Sequence, residues 1–262
     1  MPEKFLLYID ILGFSDPVVK RGNVDRLYEI IDALNAHRHP DFKVIVFSDT
    51  ILVYNMPEPT SLFDVQYGVM YLCEFAQDLF YRCISMDIHF RGYITYGDFN
   101  HQPMKNIEAY YGEGLIRAHE AEKEIQCTGL FMDNIVCPYS NIFQLTPFNK
   151  QYQFVHIMQN LKDISLMRRE YPIPPEWIIE TDLLYLIAYD IHYLESIHHH
   201  MNDMLLATKV RRKYLNTWKM LKRHHQGLLA VLVDNSFNPR AVSDFDWSEA
   251  MGRIGTDQGF FR

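Results

Sequence analysis

Two short apolar runs, each ending in an aspartate, are the feature that most constrains the fold of this chain. The first run covers residues 5–9 and leads to Asp10, and the second covers residues 44–48 and leads to Asp49. Runs of this length, rich in branched and aromatic residues, predict buried strands. Each carboxylate is therefore expected where a strand reaches the surface. Magnesium binds few carboxylates together with substrate phosphates, so the pair predicts a two-metal site for phosphoryl chemistry.

The remaining apolar pattern predicts alternating strands and helices as far as about residue 150. Residues 23–36 follow a helical period, with Asn23 as a candidate cap. The predicted elements are, in chain order, a strand at 5–13, that helix, strands at 43–48 and 51–54, a helix at 61–83, a strand at 87–96, a helix at 114–125 and a strand at 130–132. This order predicts an α+β fold, a ferredoxin-like α/β sandwich with the two aspartates at one edge of the sheet.

The character of the sequence changes after about residue 150. Residues 152–157 are expected to add one more strand, and three prolines between 172 and 175 interrupt the chain. Two long helices are predicted at 176–202 and 203–232, and the polar tail from Asn235 is expected to wrap the surface. We therefore divide the chain into a domain at 1–150 and a mainly helical C-terminal extension at 151–262, packed on that core or on a dimer.

Composition excludes several classes of function. The formal net charge of −8 disfavours nucleic acid, whose phosphates are bound by basic surfaces. The four cysteines are scattered and lack metal-ligand spacing, which indicates reduced thiols in a cytoplasmic protein. The N-terminus does not resemble a signal peptide, and no run approaches the roughly 20 apolar residues that span a bilayer.

Histidine-rich and basic stretches in the C-terminal half have simpler interpretations than ligand binding. Consecutive helical residues point in different directions, so the histidines at 198–200 cannot share one metal ion and are expected on a surface. His224 and His225 are interpreted in the same way. The basic residues between Lys209 and Arg223 are interpreted as a solvated helix face.

Four segments, in order, resemble motifs of the class III nucleotidyl cyclases. Residues 8–15, Tyr-Ile-Asp-Ile-Leu-Gly-Phe-Ser, resemble the first metal motif of that family, and residues 47–50, Phe-Ser-Asp-Thr, resemble the second. Residues 91–97, Arg-Gly-Tyr-Ile-Thr-Tyr-Gly, resemble the strand whose arginine binds triphosphate. Residues 111–122 resemble the dimer-facing helix. The four matches cover roughly residues 5–132 and are more specific together than singly.

The resemblance implies an enzyme that converts a nucleoside triphosphate into a 3′,5′-cyclic monophosphate and pyrophosphate. Two Mg²⁺ or Mn²⁺ ions would be held by Asp10 and Asp49, with the backbone carbonyl of Ile11 completing a coordination shell. Arg91 would take charge from the pyrophosphate leaving group. The backbone N–H groups that would cradle the phosphates belong to Leu12, Gly13, Phe14 and Ser15. Active sites of this family form between two subunits, so a homodimer is expected.

The chain also departs from the family at positions that read the base and stabilise the transition state. Ile45 stands where adenylate cyclases have lysine and guanylate cyclases glutamate, and Ala109 stands at the partner position, so neither hydrogen-bonds a purine edge. The transition-state asparagine and arginine fall at Ile116 and Glu120. Arg117 is a candidate substitute cation.

Loss of the purine-reading residues with both metal aspartates kept resembles the pyrimidine cyclases of bacterial anti-phage, Pycsar-type systems. The segment from Lys213 to Trp218 resembles their helical C-terminal part. The resemblance implies that UTP, or CTP, becomes cyclic UMP or cyclic CMP on infection, a messenger for a separate effector.

Other interpretations stay open. One is a catalytically silent, cyclase-like module for nucleotide binding or dimerisation, and another is a purine cyclase with an unusual pocket. Taken singly, Asp10 and Asp49 are also typical of caps or turns, and Arg91 of a structural salt bridge.

Overall fold

The computed structural model describes residues 2–13, 21–34, 39–161, 164, 170–176 and 184–255. The chain divides into two compact units. The first unit comprises Met1–Phe80 and Ile88–Ile157, and the second comprises Tyr81–Asp87 and Met158–Arg262. The predicted α+β class is confirmed, because the described residues include both a large sheet and long helices.

The first unit contains a seven-stranded sheet, a separate two-stranded hairpin and three helices among its described residues. Its elements are β1 (Glu3–Ile11), α1 (Arg21–Asp32), β2 (Phe42–Phe47), β3 (Thr50–Asn55), α2 (Leu62–Ile84), β4 (Phe90–Asp98), β5 (Asn100–Pro103), β6 (Glu108–Tyr111), α3 (Glu113–Glu124), β7 (Gly129–Asp133), β8 (Leu145–Pro147) and β9 (Tyr152–Val155). The last residues of α2 belong to the second unit.

The strand order of the large sheet is β2-β3-β1-β4-β7-β9-β8. The pairs β2–β3, β3–β1 and β1–β4 are antiparallel, α1 connects β1 to β2, and α2 connects β3 to β4. This is the β-α-β-β-α-β arrangement of a ferredoxin-like sandwich, so that prediction is confirmed. Strand β7 then joins β4 in parallel, and β9 and β8 extend the sheet.

Helix α3 lies very close to the sheet at its N-terminal end, and two glycines make this possible. A Cβ atom on Gly114 would stand 2.5 Å from Cδ1 of Leu6 on β1. Gly112 has a φ of +147°, and its Cβ would stand 2.2 Å from the carbonyl oxygen of Asp98. Gly112 has no room for a side chain against this backbone, and at Gly114 a side chain would displace Leu6, so the two glycines allow α3 to begin close to β1 and β4.

Several predicted boundaries differ from the structure. The first strand ends at Ile11, and Gly13 follows it with a φ of +74° in the turn. Helix α1 already begins at Arg21, so Asn23 lies within it and does not precede it as a cap. The hairpin β5–β6 and strand β8 were not predicted, because their short polar sequences lack an apolar alternation.

The second unit contains the two long helices that the sequence predicts. They are α4 (Leu184–Asn202) and α5 (Thr208–Asp234), and residues 177–183 of the predicted first helix lie outside the described residues. The tail forms more structure than predicted. It contains α6 (Ser248–Gly255), and Val242 and Trp247 are buried, so it contributes to the core of this unit.

The interpretation of these histidines as surface residues is wrong for His225, and His198 and His200 are only partly exposed. The ring of His198 packs between Trp218 and Phe237, with centroid distances of 5.0 and 5.2 Å. His200 Nε2 lies 2.8 Å from a carboxylate oxygen of Asp87. His225 is buried at a non-helical residue within α5. Helix periodicity cannot reveal these contacts, because the partners come from distant parts of the chain.

Two further observations concern the cysteines and the character of the helices. All four cysteines are free thiols. Among the described residues, no helix combines the length and the apolar character that crossing a bilayer requires.

Candidate active site

Asp10 occupies the penultimate position of β1, between two neighbouring strands. It is paired in register with Thr50 on β3 and with Arg91 on β4. Residues directly opposite each other in antiparallel strands project from the same face of the sheet. Asp10, Thr50 and Arg91 therefore form one cross-strand row, and the half-buried carboxylate of Asp10 lies at its centre.

Asp49 belongs to the two-residue connection between β2 and β3, as predicted from the sequence. Ser48, the first residue of this turn, has a φ of +57°, which is typical of a tight hairpin. Two hydrogen bonds hold this turn, one from β1 and one from α1. The carbonyl of Asp49 accepts the backbone N–H of Ile11 at 2.9 Å, and Tyr28 of α1 donates its hydroxyl to the carbonyl of Ser48 at 2.9 Å. These bonds bring Asp49 to the same end of the sheet as Asp10.

Arg91 is the cation of this site, and it is only 4% exposed. Its Nη2 lies 2.7 Å from Oδ2 of Asp10 and 2.8 Å from Oε1 of Glu122 on α3. Its Nη1 donates to the carbonyl oxygen of Ile125 at 2.9 Å. The arginine thus joins the end of β1 to the end of α3, and its guanidinium is engaged by protein groups. Binding a phosphate would require it to exchange these partners.

Glu122 was not identified from the sequence as a site residue, yet it completes the contacts around Arg91. Its second oxygen lies 3.3 Å from Nδ1 of His119, three residues earlier on α3. A chain of polar contacts therefore runs from the exposed His119 through Glu122 and Arg91 to Asp10. The family motif compared with α3 contained Glu122, but spacing alone does not indicate which strand residue it meets.

The hydroxyl of Tyr8 lies within electrostatic reach of all three carboxylates of this site. This hydroxyl lies 3.4 Å from Oγ1 of Thr50. Burial is the main cause that raises the pKa of this hydroxyl, and Glu122, Asp10 and Asp49 raise it further. Three acidic side chains are thus within electrostatic reach of one phenol, and Arg91 lies in ion-pair contact with two of them. Among these four side chains, three are acidic and one is basic, which leaves a surplus of negative charge in the group.

The donor groups at this place fit hard divalent cations. Carboxylate and carbonyl oxygens are the ligands that Mg²⁺ and Mn²⁺ prefer, and the surplus of negative charge around Tyr8 would be offset by such an ion. Asp10 and Asp49 would hold it, with the carbonyl of Ile11 as the third predicted ligand. One oxygen of Asp10 would remain shared with Arg91.

The predicted phosphate cradle is only partly described. Leu12 donates its backbone N–H to the carbonyl of His89 at 2.8 Å, so this group serves the end of the sheet and is not directed to a ligand. Gly13 is exposed in the turn that follows. Phe14 and Ser15 lie outside the described residues.

The region around Ile45 is apolar, as the sequence comparison implied. Ile45 and Tyr8 both pack, half-buried, against a buried cluster formed by Leu6, Leu52, Tyr54 and Phe99. Tyr110, the neighbour of Ala109 on β6, also packs against this cluster.

Several polar groups lie at the border of this apolar region, and sequence reasoning did not identify them. The hydroxyl of Tyr54 lies 2.7 Å from Nδ1 of His101, and the imidazole stacks on Tyr110 with a centroid distance of 4.6 Å. His101 Nε2 lies 3.4 Å from Oε2 of Glu108. Because β5 and β6 were not predicted, no sequence pattern indicated that these side chains lie together.

Arg117, the candidate substitute cation, does not join the aspartates within one subunit. Its guanidinium lies beside Gly97 and pairs with Glu113 at 3.4 Å. Gly97 is six residues beyond Arg91 on β4, which corresponds to roughly 20 Å along a strand. Within the chain, Arg117 is therefore at the opposite end of α3 from Glu122.

Comparisons with known proteins give remote structural similarity and no sequence match. No protein-family model matches the chain, and no protein of curated function matches it. Among solved structures, the chain is similar to the adenylyl cyclase CyaB from P. aeruginosa, with 11% identity over 58% of this chain and 92% of that one, at a TM-score of 0.42.

Two fungal guanylyl cyclase domains give comparable values. The dimeric domain of the RhoGC fusion protein from Blastocladiella emersonii shows 14% identity over 59% of this chain and 95% of that one, at a TM-score of 0.43. The domain of RhGC from Catenaria anguillulae, solved with GTP, shows 16% identity over 58% and 95%, at a TM-score of 0.42. Similarity this remote carries no functional assignment, which rests on the site itself.

Proposed function

We propose that the first unit is a nucleotidyl cyclase domain that uses two Mg²⁺ or Mn²⁺ ions. The observation that carries the proposal is the convergence of Asp10 and Asp49, from adjacent strand ends, on a site with a surplus of negative charge and a buried arginine. A fold-stabilising role alone would not require this surplus, because unneutralised carboxylates repel one another.

The reaction forms a bond between the ribose 3′-oxygen and the α-phosphorus and breaks the bond from that phosphorus to the bridging oxygen. Pyrophosphate leaves, and the ribose hydroxyl loses its proton to solvent. The ions, when bound, supply neutralisation of the triphosphate and activation of that hydroxyl. Asp10 and Asp49 would hold the ions, and Ile11 would add its carbonyl. Arg91 keeps the Asp10 carboxylate in place, which is a positioning role that its observed contacts support more directly than phosphate binding.

For the base, we propose a pyrimidine, with UTP preferred and CTP as the alternative. Ile45 stands where purine cyclases carry the lysine or glutamate that reads the base, and it offers no hydrogen-bonding group. Ala109, at the partner position, offers none either, so both purine-reading side chains are absent while Asp10 and Asp49 are kept.

A homodimer with two equivalent sites is proposed as the active form. Large apolar side chains are exposed together on the β5–β6 hairpin and on neighbouring α3. They are Met104, Ile107, Tyr111 and Ile116, with exposed fractions between 44% and 63%. Exposed apolar residues concentrated on adjoining elements are typical of a protein interface. Ile116 and Glu120 would then face the partner subunit.

Anti-phage signalling is proposed on the sequence resemblance alone. In that role the cyclic nucleotide would be made in the cytoplasm on infection and would activate a separate effector. Bacteria that carry the gene with its neighbours would survive phage challenge as a population, whereas an Asp10→Asn allele would give no protection.

The first experiment is incubation of the purified chain with all four nucleoside triphosphates and Mn²⁺, followed by mass spectrometry of the products. Cyclic UMP or cyclic CMP with an equal amount of pyrophosphate is the expected result. Cyclic AMP or cyclic GMP in excess would overturn the pyrimidine proposal and leave the cyclase proposal in place.

A second candidate is a catalytically silent module that binds nucleotide or dimerises. The observation in its favour is that both Nη atoms of Arg91 are engaged by Asp10, Glu122 and Ile125, while Ile116 and Glu120 supply neither an amide nor a cation. This candidate predicts nucleotide binding by calorimetry with no pyrophosphate release. It is distinguished from the enzyme by the same incubation.

A further inference from the structure

One helix of the second unit has a charge that is opposite to that of the whole protein. Residues 204–233 contain seven lysines and arginines and no aspartate or glutamate, although the chain carries a formal net charge of −8. Segregation of positive charge against the overall balance gives a local attractive surface for anions. The sequence pattern alone was interpreted as a solvated helix face, and the exposures allow a more specific conclusion.

Five of these basic residues form a continuous exposed strip, which we call the basic stripe. Its members are all exposed on α5, and they are Lys209, Arg212, Lys219, Lys222 and Arg223. Separations of three, four and seven residues return to the same side of a helix. The stripe extends from Lys209 to Arg223, roughly 21 Å at the usual helical rise.

The basic stripe is not neutralised within the described part of this unit. The ion pairs there join His192 with Glu195, His200 with Asp87, and Arg253 with Glu249. None of these involves a member of the stripe, so the positive charges face solvent.

Exposed apolar side chains adjoin the stripe at its N-terminal end. Met204 and Leu205, in the connection between α4 and α5, are 80% and 95% exposed. Leu215 lies among the basic residues and is 39% exposed. Leu205 is held at this tip because its backbone N–H donates to the carboxylate of Asp203 at 2.8 Å. Two of the most exposed large apolar residues in the described chain thus lie beside its most basic surface.

We propose that the basic stripe and the Met204–Leu205 tip form a docking surface for an anionic phospholipid membrane. Basic residues attract acidic headgroups while neighbouring apolar side chains enter the interface, which is how peripheral helices bind membranes. This is a surface contact and requires no spanning helix. Nucleic acid is disfavoured because base stacking needs exposed aromatic side chains, whereas Tyr214 and Trp218 of α5 are both buried.

The test is co-sedimentation of the full-length chain with vesicles of phosphatidylcholine and with vesicles in which about a third of the lipid is phosphatidylglycerol. We expect at least tenfold stronger binding to the anionic vesicles, and weaker binding as salt rises. Combined substitution of Lys209→Glu, Arg212→Glu and Lys219→Glu should lower binding by at least about a hundredfold, since loss of each basic residue near such a surface costs about fivefold and the added carboxylates are repelled.

The matched control reverses three exposed lysines of the first unit, Lys105→Glu, Lys123→Glu and Lys150→Glu, and changes the net charge equally. It should retain binding. Leu205→Ser should weaken binding without altering the salt dependence, because it removes apolar surface and leaves the charge unchanged. Circular dichroism checks that each variant is folded.

Three results would overturn the proposal. They are equal binding to neutral and anionic vesicles, an unaltered affinity of the stripe variant, and tighter binding of single-stranded RNA than of anionic vesicles at the same salt. Nucleotide turnover is not used as a readout, so the proposal stands or falls independently of the cyclase proposal.

Discussion

Nη2 of Arg91 lies 2.7 Å from Oδ2 of Asp10, its register partner on the adjacent strand. The same nitrogen lies 2.8 Å from Glu122. One guanidinium nitrogen therefore fixes a candidate metal ligand of the sheet to the last turn of α3. Any change in this contact is expected to affect both the geometry of the site and the stability of the unit.

Replacing Arg91 tests this double role. Arg91→Met leaves the carboxylates of Asp10 and Glu122 without their partner, and removing one member of a largely buried ion pair is strongly destabilising. We expect a loss of about 3 kcal/mol in the free energy of unfolding, together with at least a hundredfold loss of turnover. Urea titration followed by circular dichroism measures the first, and product formation measures the second.

Glu122→Gln separates positioning from stability. It keeps a hydrogen-bond acceptor for Arg91 and leaves the contact between Arg91 and Asp10 in place, so the stability change should be smaller than for Arg91→Met. Arg253→Met is the control, because its pair with Glu249 is at the surface and should contribute less than about 1 kcal/mol. Equal stability of Arg91→Met and wild type would contradict the structural role of the guanidinium.

Ile116 tests the proposed dimer. Its side chain is 60% exposed on α3, and Ile116→Glu would place a charge in an apolar interface. We expect sedimentation to shift from the mass of a dimer to that of a monomer, with turnover falling in parallel. Lys123→Glu, an exposed substitution on the same helix, should remain dimeric. A wild-type protein that sediments as a monomer during turnover would refute the shared site.

Asp190 should make the second unit less stable as pH rises. It is fully buried and accepts the hydroxyl of Tyr81 at 2.9 Å. Burial raises the pKa of its carboxyl to about 8, although hydrogen bonds from Tyr81 and Asn160 act in the opposite direction. An unfolded aspartate loses its proton near pH 4. The folded state keeps the proton up to about pH 8, so stability declines between these values.

Tryptophan fluorescence can follow this decline, because all three tryptophans of the sequence belong to the second unit. Asp190→Asn should flatten the dependence of the unfolding free energy on pH between about 6.5 and 8. Asp244→Asn, an exposed substitution in the same unit, should leave the slope as in wild type. A steep slope that persists in Asp190→Asn would show that another group is responsible.

His225 should make the second unit less stable as pH falls. Burial, with a smaller contribution from the neighbouring His224, lowers the pKa of its imidazole to about 4. The stabilising contribution of the neutral ring is complete above about pH 6.5 and is lost as pH falls toward 4. His225→Gln should remove this acid-dependent loss, whereas the exposed His199→Gln should not. Urea titrations at pH 7, 5.5 and 4.5 provide the measurement.

The sequence predicted the central elements well because their apolar runs are long and regular. The order from β1 to β4 follows from residues such as Leu6, Ile9 and Val53, which are buried where the alternation and the hairpin turn place them. The same runs brought Asp10 and Asp49 to one end of the sheet. Local pattern and tertiary burial agree at these positions, so a single sequence suffices.

Contacts made between distant segments could not be predicted in this way. Glu122 meets Arg91 because α3 packs on β1 and β4, where Gly112 and Gly114 allow a close approach. His101 and Tyr54 are brought together by a hairpin whose strands are polar and short. The burial of His225 depends on neighbours that helical periodicity does not reveal. In each case the contact depends on how distant segments pack together, and the residue type alone does not predict it.

The most direct test of the cyclase proposal compares wild type with Asp10→Asn and Asp49→Asn in the presence of UTP and Mn²⁺. The exposed Asp32→Asn is the control, and circular dichroism confirms folding. Cyclic UMP and pyrophosphate should appear in equal amounts with wild type and with Asp32→Asn, and neither should appear with the other two variants. Cyclic product formed at the wild-type rate by a folded Asp10→Asn or Asp49→Asn protein would contradict the proposed site.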